Sequence, residues 1–70
     1  MSAESVHSIG AQAFIIEIGE VAAGLAVRER GGFSFVATDR RFNVLDGSRF
    51  KRIQQLENAA HNVWRAHTPR

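Results

Sequence analysis

Seventy residues, 44% of them hydrophobic and 23% charged, with no cysteine, make one small folded domain at most. The missing cysteines exclude a disulfide scaffold and any cysteine-ligated zinc or iron–sulfur site, and so short a chain encloses no large active site. The net charge of +2 is unevenly distributed: residues 1–39 carry two basic and five acidic side chains, residues 40–70 seven basic and two acidic.

Residues 1–10, MSAESVHSIG, are polar and unpatterned and read as a disordered tail. Residues 11–70 are left as a single small α+β domain. The first ten residues lack the basic start and apolar run of a signal peptide. The apolar stretch at Phe14–Ile16 is far below the roughly 20 residues of a membrane span. The expectation is a cytoplasmic protein with no membrane partner.

Residues 11–18, AQAFIIEI, place Phe14, Ile16 and Ile18 on one face and Ala13, Ile15 and Glu17 on the other, the period of a strand. Gly19-Glu20 is a Gly-X pair suited to a two-residue type II′ turn. A second strand over 21–29 then puts Val21, Ala23, Leu25 and Val27 on one face, and Ala22, Gly24, Ala26 and Arg28 on the other. Such a turn sets Ile18 opposite Val21, Ile16 opposite Ala23, Phe14 opposite Leu25 and Gln12 opposite Val27. A slip of one residue flips every side chain, so this apolar agreement supports the register.

Gly31-Gly32 marks the next turn, and residues 33–38, FSFVAT, a third strand. Phe42–Leu45 is a candidate fourth strand, and Asp46-Gly47 a further turn. From there, Phe50, Ile53, Leu56, Ala60, Val63, Trp64 and His67 recur at three- and four-residue steps, the apolar stripe of a helix. Ser48 can cap its start, and Pro69 follows its end. The fold class is α+β: an antiparallel meander of three to four strands with one C-terminal helix packed on one face, in two layers.

The chemistry-bearing residues do not converge. His61 and His67 are six apart and leave a helix on different sides; Glu57 and His61 share a face, but two ligands do not hold zinc, and His7 lies in the tail. No metal and no cofactor are expected. The serines at 2, 5, 8, 34 and 48 have no histidine in register, and the glycine spacing gives neither GxGxxG nor GxxxxGK. The chain reads as a non-enzyme.

Three surfaces remain. Gly31–Thr38 resembles the octamer of the RNA-recognition motif at Gly32, Phe33, Phe35 and Val36, departing at Gly31, Ser34 and Thr38. No helix separates the first two strands, so the chain is not assigned to that family. What the resemblance implies is base stacking by Phe33 and Phe35 if they are exposed. A two-residue Gly31-Gly32 loop exposes them beside Arg28 and Arg30. A three-residue loop from Arg30 buries them, and the need for core mass in a small domain favours burial. With the rings buried, Ala13, Ile15, Ala22, Gly24 and Ala26, with Val36, form a flat apolar outer face, fit for a homodimer or protein partner or for cover by residues 1–10. Finally, Arg40, Arg41, Arg49, Lys51 and Arg52 crowd toward the helix start, where the dipole disfavours cations, and form a candidate anion or nucleic-acid site, unless the helix begins later, near Ile53, and leaves them in a loop. The leading expectation is a non-catalytic protein-interaction or self-assembling module, with nucleic-acid binding as the alternative.

Overall fold

The computed structural model describes residues 5–8, 10 and 12–67. Five strands form one antiparallel sheet in chain order: β1 Ser5–Ser8, β2 Ala13–Ile18, β3 Val21–Glu29, β4 Gly32–Ala37 and β5 Arg49–Phe50. A 3-10 helix, Arg40–Leu45, links β4 to β5, and the α-helix α1, Ile53–His67, closes the fold. This is the expected α+β meander with a C-terminal helix on one sheet face. The core between the layers is Ile16, Ile18, Ala23, Ala26, Phe35, Phe42, Leu56 and Ala60. Burying Phe35 and Phe42 alone contributes about 1.5–3 kcal/mol each.

Several expectations are corrected. Ser5–Ser8 of the supposed tail pairs with β2, Val6 opposite Ile16, and Val6 packs against the core. Residues 1–4, 9 and 11, and Pro69 beyond α1, lie outside the described residues. The Gly19-Glu20 turn has φ of +57° and +69°, so it is type I′ rather than II′. The primed turn matches strand twist, and Glu20 accepts a left-handed backbone to make it.

The register also departs from strict alternation. Ile18 faces Val21 as expected, but beyond Glu17↔Ala22 the next pair is Ile16↔Gly24, then Ile15↔Leu25, Phe14↔Ala26 and Ala13↔Val27. Ala23 is the extra residue of a β-bulge. Past it, the two faces of β3 exchange: Gly24 and Ala26 turn inward, Leu25 and Val27 outward. The reason is room. A side chain at Gly24 would meet the Phe35 ring at 2.6 Å and the backbone carbonyl of Val36. Only small residues fit beneath that ring, and the bulge supplies two in alternate positions.

β3 pairs with β4 as Glu29↔Gly32, Arg28↔Phe33 and Ala26↔Phe35, which leaves Arg30-Gly31 as the loop. The loop is two residues long, one position earlier than Gly31-Gly32, and the bulge upstream turns both Phe inward.

Phe42–Leu45 is not a strand. The Asp39 carboxylate accepts from the Arg41 backbone N–H (2.9 Å) and starts a 3-10 turn there. The chain then returns along β4: Gly47 N–H donates to Phe35 O at 2.8 Å and Phe35 N–H to Ser48 O at 2.9 Å. This return places Arg49 and Phe50 as β5, so α1 begins at Ile53 and not at Ser48. Gln55 Oε1 accepts from the backbone N–H of Lys51 (3.2 Å) and Arg52 (3.3 Å), one half of a capping box. Trp64 is half-buried, parallel to Phe42 with centroids 6.5 Å apart, and its ring stacks where a side chain at Gly19 would be, at 2.7 Å. His67, read as the end of the apolar stripe, is exposed.

Candidate functional site

The helix covers one sheet face. On the other, the strand alternation and the bulge align Ile15, Leu25 and Val36 in one cross-strand row, with Ala13 and Val27 beside them in the next. None of these five belongs to the core or packs against it. Val36 is 44% exposed, and Ile15, Leu25 and Val27 are half-buried by their sheet neighbours. Polar groups close the ends of this strip. Glu17, opposite Ala22, lies toward the β2–β3 turn. At the other end Glu29 pairs with Arg49 (3.3 Å) and accepts from the Ser34 hydroxyl (3.1 Å).

The structure therefore keeps an apolar outer face but changes its membership. Ala13, Ile15 and Ala22 remain on it. Gly24 and Ala26 do not: both are buried beneath Phe35, because the bulge inverts their strand. Leu25 and Val27, assigned to the core by strict alternation, take their place. The sequence signal for the exchange was Gly24 itself, since an isolated glycine in a strand marks a bulge or a close backbone approach.

Phe35 is fully buried and cannot stack a base. Phe33 is half-buried on the helix side, edge-on to Phe14 with centroids 6.0 Å apart, and Arg28 lies 5.1 Å from its ring centroid.

The five cations proposed as one patch lie at two ends of the sheet. Thr38 N–H donates to Ala23 O, which holds the segment after β4 beside the β2–β3 turn. There Arg41 lies 5.1 Å from the Trp64 ring centroid and forks onto Asp39 through Nε (3.0 Å) and Nη2 (2.9 Å). The Arg41 side chain, aided by its backbone N–H, holds the Asp39 carboxyl at about 2, below its ordinary value. Thr38, Asp39, Arg40 and Arg41 line an open hollow here. Arg49, Lys51 and Arg52 lie four to six residues farther along β3, roughly 13–20 Å at 3.3–3.4 Å per residue. They are on β5 and the bend after it, not in the first turn of α1, and two amides at that helix start are occupied by Gln55.

Among the described residues no three His, Asp or Glu side chains come together. No helix of the described residues is long and apolar enough to cross a membrane. No protein-family model, curated protein or solved structure matches the chain.

Proposed function

We propose that this chain is a small non-catalytic self-assembling module, whose copies associate through the outer sheet face. The observation that supports this reading is the Ile15–Leu25–Val36 row, flanked by Ala13 and Val27, outside the core of the same domain. Contiguous apolar surface rimmed by polar groups marks an interaction face. A flat face of one sheet is self-complementary, so two copies can stack sheet on sheet about a two-fold axis. Five apolar side chains fall short of the roughly 800 Å² per partner of a tight interface, so the association is expected to be weak.

Sedimentation equilibrium over a concentration series tests the reading. The expected result is a monomer–dimer equilibrium that Leu25→Lys abolishes while the circular dichroism spectrum and melting curve are retained. A wild-type chain that stays monomeric at high micromolar concentration overturns it.

A further inference from the structure

The second turn of the meander gathers charge that the linear order scatters. Arg28 and Arg30 stand at the end of β3 and in the loop after it. Pairing of Phe33 with Phe50 and of Ser34 with Arg49 brings β5 alongside. A side chain on Gly32 would meet the Phe50 carbonyl, and would lie 3.1 Å from the Lys51 Cα, so the loop and the bend before α1 are in contact. Arg28, Arg30, Arg49, Lys51 and Arg52 thus share one corner, all exposed, with Glu29 the one carboxylate on these two segments: five cations less one anion, a net +4. Glu29 is engaged by Arg49. Among the described residues no carboxylate pairs with Arg30, Lys51 or Arg52. The opposite end carries Glu17, Glu20, Asp39 and Asp46 against Arg40, Arg41 and, in the last turn of α1, Arg65.

We infer that this corner binds the phosphodiester backbone of nucleic acid, without reading its sequence. The cations are spread over two segments and an open surface, so they suit a chain of phosphates rather than one enclosed phosphate. The Lys51 and Arg52 amides that would complete an enclosed anion site already serve Gln55. Four of the five are arginines, whose forked donors match phosphate oxygens. A membrane surface is the weaker fit, because among the described residues the exposed large apolar ones are Val36 and Val44, away from the corner, and interfacial anchoring needs apolar side chains beside the charge.

The test is fluorescence anisotropy of the full chain with a labelled single-stranded oligonucleotide and a labelled duplex of unrelated sequences. Binding is expected to both, with log K falling against log salt at a slope of about −3 to −4 for roughly four neutralised phosphates. Replacing Arg30, Lys51 and Arg52 together by Gln should flatten that slope by about 2–3 units, whereas Arg40→Gln at the other end leaves it unchanged. Amide chemical-shift changes in the wild-type chain should concentrate at residues 28–33 and 49–52, which locates the site without any variant. No binding at about 50 mM salt, where backbone contacts are strongest, overturns the inference. So do shifts centred elsewhere, or binding to phosphatidylserine vesicles without binding to either nucleic acid. None of these outcomes bears on the Ile15–Leu25–Val36 row of the outer face, which uses other side chains.

Discussion

Gly24 is the residue on which the fold turns. Its missing side chain lets Phe35 lie flat on β3, and its place in the bulge decides which side chains of that strand face water. Gly24→Ala should destabilise the domain by about 1–3 kcal/mol, since the Phe35 ring at 2.6 Å and the Val36 carbonyl behind it leave no room. Urea denaturation measures this; a midpoint equal to the wild type removes the packing account of the bulge. Ala26 makes the same point from the other direction. It is fully buried, so a charge there disrupts the core rather than a partner surface. Period-two reading could not see this, because a bulge adds a residue without any change in composition. The identity of the inward Phe residues was legible from the demand for core mass, but not which loop put them there.

At the level of elements, β2, β3, β4 and α1 were legible from periodicity, and the segment between β4 and α1 was not. Phe42–Leu45 has strand-like composition, yet Asp39 and Arg41 make a local cap that outcompetes pairing. That cap carries a pH signature. The Asp39 carboxyl titrates at about 2 in the folded chain, held down by Arg41, against about 3.9 in an unfolded one. A depressed folded value stabilises above the unfolded value and is lost as pH falls through the folded one. The stability gap between wild type and Asp39→Asn should therefore be constant from neutral pH to about 5 and close between about 4 and 2. Thermal melts of both proteins across that range check it; a gap that persists at pH 2 assigns the cap to hydrogen bonding alone. The helix start is hidden in the sequence for a related reason: the stripe from Phe50 is continuous, but the return along β4 claims Arg49 and Phe50 for the sheet.

The whole molecule separates two kinds of surface, an apolar sheet face and a net positive corner, and places acidic residues at the far end. Neither surface could be assembled from linear spacing: Leu25 and Val27 reach the face through the bulge, and Arg28 and Arg30 reach the corner through strand pairing. The two surfaces should respond to salt in opposite directions. Contacts between phosphates and the corner weaken steeply as salt rises, because counterions are released on binding. Association through the apolar face should hold or strengthen from about 50 to 500 mM NaCl, since no ion pair is broken and repulsion between the positive corners of two copies is screened. Sedimentation equilibrium at both salt concentrations, run on the wild type, on Leu25→Lys and on the Arg30, Lys51 and Arg52 to Gln variant, separates the cases. The corner variant should still associate, and Leu25→Lys should still bind oligonucleotide. Self-association that falls with salt and disappears in the corner variant would mean that copies join end to end, positive corner against acidic end, and the sheet face would then be left without its assigned role.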